Sequence, residues 1–313
     1  MVALVAGWLG EGQPVQAQQS AQYTQYAFNS LVINPAYAGS KEVLQLSGLM
    51  RSQWTGLAGA PRTQTLSLDG NAMNRSLGLG LHLINDKIGA QGQKSIYLST
   101  AAKVWLSGQA KLALGIAGGA TQYYLDESQL LVNQPDPTLS GTRQSQLLPD
   151  TKVGLYFNTR QFFTGLSAAS VIGFKNKLRQ APGRHYFLTA GYVFDFSDMF
   201  KFRPSFLLKE DFKSPGTVDL NAFVLIGDRL WLGSTFRRAV NLFQADAFQP
   251  YALRTENAWA LLTEIYLSPQ VKVGYAHDFT TTALNRYGSH ELSLGFYFFK
   301  NNREARSVTI RYF

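Results

Sequence analysis

The side chains best suited to catalysis are four histidines, one of which precedes an aspartate. They are His82, His185, His277 and His290, and Asp278 follows His277 directly. A hydrolase needs a nucleophile, a base and a group that orients the base, but neighbouring side chains in a β-strand point to opposite faces and form no direct dyad. The chain also lacks the Gly-x-Ser-x-Gly, His-Glu-x-x-His and phosphate-binding glycine motifs. We therefore predict no catalytic residues, no cofactor and a protein that is not an enzyme.

Metal-binding carboxylates are grouped at one place, in residues 126–150. Asp126, Glu127, Asp136 and Asp150 suit Ca²⁺ chemically, but their spacing is not that of a known calcium loop. The chain has 0 Cys, which excludes disulfides, thiolate metal sites and a cysteine nucleophile. We therefore predict no metal site.

Alternating apolar and polar residues dominate the elements that position these side chains. In residues 77–83 every second residue is leucine, and the same period of two recurs in residues 112–116, 153–157 and 292–298. The apolar face points inward in a soluble β-sandwich and outward in a membrane barrel, so this pattern alone leaves both classes open. No apolar run reaches the roughly 18 residues that a membrane-spanning helix needs.

Connection lengths decide between the two classes. We predict about fourteen strands within residues 41–299, with short connections after even-numbered strands and mostly longer ones after odd-numbered strands. This sorting is typical of outer-membrane barrels, so the sequence predicts an all-β transmembrane antiparallel barrel with short periplasmic turns and longer extracellular loops. The predicted strands are residues 41–54, 63–70, 75–87, 94–106, 110–125, 151–158, 162–171, 185–196, 202–212, 217–226, 230–238, 258–267, 271–279 and 290–299.

The two ends of the chain are predicted to lie outside the barrel wall. Residues 1–17 begin with an apolar run and end in the small-x-small pattern Val15-Gln16-Ala17, which is typical of a signal peptide. We interpret residues 18–40 as a periplasmic N-terminal segment or a plug of the lumen, and residues 300–313 as a basic periplasmic tail. Both termini are thus predicted to be periplasmic.

Bulky side chains on the predicted inner face argue against an open pore. They are Tyr97, Trp105, Tyr156, Phe223 and Trp231. Any one of them is also explained as a packed wall residue or an interface residue, so only their number favours an occluded lumen.

The positive charge of the chain is not accompanied by a nucleic-acid motif. Lys+Arg 29 and Asp+Glu 20 give a net charge of +9, and the basic residues are scattered. We expect this charge to meet lipopolysaccharide phosphates, at the surface of the outer-membrane lipid, or an acidic periplasmic partner, and we expect no nucleic acid.

Several short motifs occur in order along the chain. The first hundred residues contain Gln25-Tyr26-Ala27-Phe28-Asn29, Ile33-Asn34-Pro35-Ala36-Tyr37-Ala38-Gly39-Ser40, Arg51-Ser52-Gln53-Trp54-Thr55-Gly56, Gly59-Ala60-Pro61-Arg62-Thr63-Gln64-Thr65 and Ile84-Asn85-Asp86-Lys87-Ile88-Gly89. Gly288-Ser289-His290-Glu291 and Arg311-Tyr312-Phe313 follow near the end. This ordered set resembles the PorP/SprF family, whose members are outer-membrane proteins of the type IX secretion system of Bacteroidetes.

The resemblance implies a non-enzymatic outer-membrane component that supports the secretion or surface attachment of cargo with a C-terminal sorting domain, such as gliding adhesins. It also implies a link to periplasmic machinery, namely the PorK/PorN ring or a PorE-like peptidoglycan-binding protein. The alternative function is passive transport of hydrophobic small molecules, as in the FadL family, which also has barrels with an N-terminal plug. A lateral opening in the barrel wall would favour this alternative.

Residues near the start of the chain are the first candidates for partner binding. They are Asn34, Pro35 and Tyr37, together with Arg51 and Trp54, for which we expect a cation–π or polar contact at the barrel rim. The alternative is that these motifs only serve barrel closure.

The loop at residues 239–257 is the second candidate for partner binding. Its Leu242, Phe243, Phe248 and Tyr251 are apolar, although the loop is predicted to face water. We expect these side chains to dock the sorting domain of a secreted protein or a companion subunit. The alternative is a loop that folds back over the barrel mouth.

The C-terminal tail is the third candidate. It carries Arg306 and ends in Arg311, Tyr312 and Phe313. Arginine and aromatic side chains dominate binding hot spots, and a free C-terminus is a common recognition handle. We expect the tail to engage the periplasmic side of the type IX machinery; the alternatives are a signal for barrel assembly and a plug of the lumen.

Overall fold

A computed structural model describes residues 24–129, 141–174, 183–242, 257–280 and 286–299. The strands are β1 (Leu44–Ser52), β2 (Arg62–Ala72), β3 (Leu77–Ile88), β4 (Gln91–Trp105), β5 (Lys111–Asp126), β6 (Arg143–Asn158), β7 (Phe162–Ala169), β8 (His185–Tyr192), β9 (Phe194–Asp195), β10 (Phe200–Glu210), β11 (Gly216–Ile226), β12 (Leu230–Val240), β13 (Ala258–Tyr266), β14 (Val271–Thr280) and β15 (Ser289–Phe298). The 3₁₀ helices are η1 (Gln25–Phe28), η2 (Ser30–Val32), η3 (Pro35–Tyr37), η4 (Met73–Arg75) and η5 (Glu127–Gln129). No helix among these residues has the length and apolarity needed to cross a membrane.

All of the strands belong to one antiparallel sheet that closes on itself. Neighbours along the chain pair with each other, and β1 pairs with β15 to join the first and last strands. The short strand β9 continues β8 beyond Val193, and both lie against β10. The wall therefore has 14 strand passes, and the predicted fourteen-stranded antiparallel barrel is confirmed.

The apolar face of the sheet points outward and the polar face points into the lumen. In β2, Leu66 and Leu68 are exposed, whereas Ser67 and Asp69 are buried. A soluble sandwich buries its apolar face instead, and an outward apolar face is the one that meets lipid in a membrane barrel. The alternation thus resolves in favour of the membrane barrel.

The connections between strands sort by length, as predicted. They are short at the end where β1 begins, for example residues 159–161 and 227–229, and longer at the opposite end, for example residues 130–142 and 241–257. We call these two ends the short-turn end and the long-loop end. The predicted signal peptide at residues 1–17 and the predicted tail at residues 300–313 lie outside the described residues.

Strand β6 differs most from its prediction, because it begins at Arg143 rather than at residue 151. The sequence Leu147-Leu148-Pro149 interrupts the alternation, so no period of two marked this stretch as strand. Pairing with β5 extends β6 nonetheless, since Arg143 lies opposite Asp126 and the register continues to the end of the strand. Residues 143–150, which lie in the predicted connection between the fifth and sixth strands, therefore belong to the sheet.

Candidate functional site

Residues 24–41, which we call the plug, run through the lumen and contain η1, η2 and η3. Asn34 begins η3, because its side-chain oxygen accepts a hydrogen bond from the backbone N–H of Ala36 at 2.9 Å. Pro35 occupies the first helical position, where a missing N–H costs no hydrogen bond. The Asn34 amide also donates to the carbonyl of Leu155 at 2.9 Å. One residue thus caps the helix and ties it to the wall.

Two glycines in the wall let the plug approach closely. A Cβ atom on Gly115 of β5 would lie 2.2 Å from the backbone nitrogen of Ala36. A Cβ atom on Gly154 of β6 would lie 2.1 Å from the side-chain oxygen of Asn34. Both distances are far below van der Waals contact, so any larger residue at either position would displace this part of the plug.

Aromatic rings fill much of the space between the plug and the wall. Tyr37 packs edge-on against Tyr156, with ring centroids 5.4 Å apart, and Phe28 packs edge-on against Phe223 at 5.3 Å. The buried guanidinium of Arg203 lies 5.2 Å from the Phe28 ring centroid and 4.8 Å from that of Phe223. These distances are within the range of cation–π interactions. Arg203 therefore contacts a plug ring and a wall ring at once.

The aromatic residues predicted to occupy the lumen are buried with one exception. The buried ones are Tyr97, Tyr156, Phe223 and Trp231. The prediction is wrong for Trp105, which is 44% exposed at the end of β4. Trp105 is the last residue of β4, beyond the enclosed part of the lumen. The Lys111 amino group lies over its ring, 4.9 Å from the ring centroid.

A buried charge cluster holds the plug at the long-loop end. Arg51 of β1 pairs with Asp278 of β14 at 2.6 Å and with Glu291 of β15 at 3.0 Å. The Thr24 hydroxyl accepts a hydrogen bond from Arg51 at 2.8 Å and donates one to Asp278 at 2.8 Å. The backbone N–H groups of Thr24 and Gln25 donate to the Glu291 carboxylate at 3.0 and 2.6 Å. We call Arg51, Asp278 and Glu291 the Arg51 clamp.

The Arg51 clamp also crosses the seam at which the barrel closes. Arg51 and Glu291 are opposite each other in the register of β1 with β15. Their side chains are only 3% and 0% exposed. Removing one member of a buried ion pair costs about 3–5 kcal/mol, because the other charge is left without a partner. The clamp therefore stabilises the seam as well as the position of the plug.

These contacts correct the prediction that Arg51 pairs with Trp54 at the rim. Arg51 lies on the lumen face of β1 and directs its guanidinium to two carboxylates. Trp54 lies beyond the end of β1, half-buried, and its backbone N–H donates to the Ser289 hydroxyl at 3.1 Å. Side chains alternate between the two faces of a strand, and Arg51 falls on the face of β1 that points into the lumen rather than at the rim.

A second set of contacts holds the plug at the short-turn end. Lys103 of β4 donates to the carbonyl of Gly39 at 2.6 Å and to the Asn71 side chain at 2.5 Å. Asp69 of β2 accepts a hydrogen bond from the Gly39 N–H at 2.9 Å. Gly39 has a φ of 63°, a left-handed conformation that favours glycine. The plug is thus tied to the wall at both ends of the lumen.

Burial shifts the pKa of three plug side chains. It raises the pKa of the Tyr26 and Tyr37 hydroxyls above their ordinary value, so both stay neutral. Tyr26 accepts a hydrogen bond from the Asn221 amide at 2.7 Å. Burial, followed by the nearby Lys272 cation, lowers the pKa of the Lys41 amino group.

A cavity of about 90 Å³ lies between the plug and the wall, towards the long-loop end. Its lining includes Tyr26 and Ile33 of the plug and the cations Lys152 and Lys209 of the wall. Both cations have partners, since Lys152 donates to a plug carbonyl at 3.1 Å and Lys209 pairs with Asp219 at 3.1 Å. The cavity is therefore a small space beside the plug rather than a site with unpaired charge.

The histidines do not assemble with an acid and a nucleophile in the described part of the chain. His82 stacks on Tyr97, with ring centroids 4.6 Å apart, and its Nε2 lies 3.3 Å from the Lys152 amino group. His277 and Asp278 occupy opposite faces of β14, as predicted for strand neighbours, and Asp278 belongs to the Arg51 clamp. No group of three or more His, Asp or Glu forms a metal-sized cluster among these residues.

The partner-binding candidates other than Arg51 and Trp54 fall into three groups. Asn34, Pro35 and Tyr37 are buried in the plug, where their contacts are with the barrel. Leu242 is 53% exposed just after β12, at the long-loop end. Phe243, Phe248, Tyr251, Arg306, Arg311, Tyr312 and Phe313 lie outside the described residues.

Sequence reasoning missed the residues that anchor the plug. Asp278, Glu291, Asp69 and Lys103 all fall on the lumen phase of their strands. Charged residues on a confined inner face are a usable signal, because a buried charge requires a partner. Such charged residues can therefore be recognised in the sequence as needing an oppositely charged or hydrogen-bonding partner, but the sequence does not show which residue that partner is.

A comparison with known families identifies the chain. The family described as "Type IX secretion system membrane protein PorP/SprF" matches residues 15–296. The chain belongs to the PorP/SprF family. It is therefore a membrane component of the type IX secretion system, and the family and the barrel fold together support an outer-membrane location. No curated protein matches the sequence.

Solved outer-membrane barrels are similar to this PorP/SprF chain in fold. The "CymD monoaromatic hydrocarbon channel" is 14% identical, with 86% of this chain and 92% of that chain covered and a TM-score of 0.50. The outer membrane protein Omp33 of Acinetobacter baumannii is 10% identical, with 82% of this chain and 98% of that chain covered and a TM-score of 0.48. A FadL homologue of Pseudomonas aeruginosa is 10% identical, with 88% of this chain and 94% of that chain covered and a TM-score of 0.46. Identities this low concern the fold alone.

Substitution of Gly115 by leucine should displace the plug of this PorP/SprF barrel. The matched control is Gly118→Leu in the same strand, because a Cβ atom on Gly118 would have nothing within 4 Å. We expect Gly115→Leu to raise the ion conductance of the purified barrel in planar lipid bilayers, since a displaced plug opens the lumen. Equal conductance of the two variants would contradict the docking role of Gly115.

Substitution of Arg51 by alanine should destabilise the PorP/SprF barrel, because Asp278 and Glu291 lose their shared cation. We expect the free energy of unfolding, measured by denaturant titration in detergent micelles, to fall by about 3–5 kcal/mol. Arg238→Ala is the control, since Arg238 is exposed on the outer face of β12, and should change the value by at most about 0.5 kcal/mol. Equal losses in both variants would show that the clamp contributes nothing specific.

Proposed function

We propose that this PorP/SprF protein supports the secretion or surface attachment of cargo that carries a C-terminal sorting domain, such as a gliding adhesin. It acts by binding proteins at its two ends, and cargo does not pass through its lumen. The observation that carries this proposal is the plug, which is tied to the wall by the Arg51 clamp at one end and by the contacts of Gly39 at the other.

The width of the barrel supports binding rather than conduction. Aqueous channels are typical of barrels with about 16–18 strands, whereas smaller barrels are filled by side chains or hold small ligands. This wall has 14 strand passes, and the plug with its aromatic contacts occupies the interior. The described part of the plug therefore occupies space that a polypeptide chain would need in order to pass through the lumen.

We propose that the long-loop end faces outward and docks the cargo or a companion subunit. The candidate surface is the loop at residues 239–257, with Leu242, Phe243, Phe248 and Tyr251. Leu242 is 53% exposed where this loop leaves β12, which supports an accessible apolar surface there. Apolar side chains that remain exposed beyond the lipid are typical of a binding surface.

We propose that the short-turn end faces the periplasm and carries the tail. Strand β15 ends at Phe298 on this side, so residues 300–313 follow from the periplasmic end. The tail, with Arg306 and the terminal Arg311, Tyr312 and Phe313, would engage the PorK/PorN ring or a PorE-like peptidoglycan-binding protein. On this orientation Thr24 lies at the outward end of the lumen, and the N-terminus, predicted to be periplasmic, lies outside the described residues.

Transport of hydrophobic molecules is not supported by the wall. A transporter of this kind was expected to have a lateral opening in the barrel wall. Among the described residues, however, each strand pairs with its neighbours all the way around the barrel. The ladder is interrupted at Val193, which lies opposite Arg203 in the register, and the adjacent Pro204 has no backbone N–H to donate. Val193 is fully buried, and its N–H donates to the Gln161 carbonyl at 2.8 Å.

Replacement of both Phe243 and Phe248 by serine should abolish cargo retention at the cell surface, because the apolar docking surface is lost. The barrel should still reach the outer membrane in normal amount. Surface cargo is measured by labelling intact cells and the barrel by immunoblot of the membrane fraction. The matched control is Phe212→Ser, an exposed phenylalanine in another loop at the same end. If cargo retention is unchanged in the double variant, the loop does not bind cargo, and the alternative of a loop that folds back over the barrel mouth is favoured.

Deletion of residues 307–313 should leave the barrel level normal and remove cargo from the surface, because docking to the periplasmic machinery is lost. The two quantities are measured separately in the same cells. A truncation that lowers the barrel level instead identifies the tail as an assembly signal. A truncation without effect on either quantity removes the tail from the functional account.

A further inference from the structure

Two histidines meet on the outer face of the barrel at the long-loop end. His277 of β14 and His290 of β15 are direct partners in the strand register. Their Nδ1 atoms are 3.3 Å apart, and their ring centroids are separated by 4.6 Å. The hydroxyl oxygen of Tyr275 lies 2.7 Å from the Nδ1 atom of His290. Three potential donor atoms are thus within one small space.

The strand geometry accounts for this meeting. Tyr275 and His277 are two residues apart in β14, so they share the outer face, and His290 is brought to the same face by pairing. The lumen side of the same strands carries Asp278 and Glu291 of the Arg51 clamp. The three outer donors are therefore separated from the clamp by the sheet itself.

Neighbouring residues hold the His277 ring in place. Phe279 packs edge-on against it, with ring centroids 4.4 Å apart. Gly288 lies on another side, where a Cβ atom would come within 2.6 Å of the His277 Cε1 atom. Glycine at this position leaves room for the ring in the orientation that faces His290.

The distance between the two nitrogens is the one that a tetrahedral metal ion imposes. Zinc binds imidazole nitrogen at about 2.0–2.1 Å, so two ligands at a tetrahedral angle are about 3.3–3.4 Å apart. Imidazole suits zinc, copper and nickel among the divalent ions. No movement of the two Nδ1 atoms relative to each other is needed to accept such an ion.

We propose that His277 and His290, with Tyr275 as a third donor, form a binding site for a divalent transition-metal ion, Zn²⁺ or Cu²⁺. The remaining coordination positions are filled by water or by a donor group of a neighbouring molecule. The site lies on the outer wall beside Trp259 and Phe279, which are paired in the register of β13 and β14 and are both about half exposed. Exposed aromatic residues of this kind mark the interface between lipid and water, where ions from solution have access.

Spacing along the sequence gives no indication of this site, because His277 and His290 are separated by a loop and the third donor is a tyrosine. A bound ion would connect β14 to β15 at the level of the Arg51 clamp. The site is independent of the proposed function, since metal binding is measured on the isolated barrel without cargo or machinery.

The test is metal titration of the full chain, purified without a polyhistidine tag and held in lipid nanodiscs. Zn²⁺ binding is measured by calorimetry, and Cu²⁺ binding by electron paramagnetic resonance, in which imidazole ligands give nitrogen hyperfine splitting. We expect one ion per barrel and tighter binding of Cu²⁺ than of Zn²⁺. His277→Ala and His290→Ala should each weaken binding at least tenfold, and Tyr275→Phe should weaken it less.

His185→Ala is the matched control, because His185 lies on the lumen side at the same end of the barrel. It should leave the metal affinity unchanged. Each variant is checked for folding by the shift in gel migration between unheated and boiled samples. The proposal is overturned if the unsubstituted barrel shows no nitrogen hyperfine splitting, or if a folded His277→Ala variant binds as tightly as the control.

Discussion

Backbone hydrogen bonding in lipid is the constraint on which the rest of this structure depends. The bilayer core offers no partner for an exposed N–H or C=O group, so every strand must pair on both sides and the sheet must close. Closure turns one face of each strand towards lipid and the other into a confined lumen. The period of two in residues 77–83 follows directly from this geometry.

Closure also creates a lumen whose polar side chains must be satisfied. Charges that are shielded from water are costly unless they are paired. In the Arg51 clamp one guanidinium serves two carboxylates, and Glu291 also accepts the backbone N–H groups of Thr24 and Gln25. Thr24 and Gln25 lie at the start of η1, where backbone N–H groups have no carbonyl partner within the helix. The wall and the plug therefore satisfy each other's unpaired polar groups.

The barrel was predictable from the sequence because each strand records, in its own alternation, which face meets lipid. The partners across the lumen leave no such local record: Arg51 meets Asp278 and Glu291 at separations of 227 and 240 residues. Alternation also fails where lipid ends, which explains the errors at Trp105 and at the start of β6. The plug has no strand period, and the motif around Asn34 suggested partner binding or barrel closure; it did not indicate the two wall glycines that receive this segment.

The Arg51 clamp draws its charges from the first strand and the last two strands, although the plug comes first in the chain. The Arg51 clamp can therefore hold the long-loop end of the plug only after the two edges of the sheet have met at β1 and β15. At this end of the lumen, holding the plug and sealing the seam thus depend on the same side chains. A partly assembled barrel would be both leaky and burdened with uncompensated charge, so the same cluster that completes the fold disfavours any long-lived leaky intermediate in the membrane.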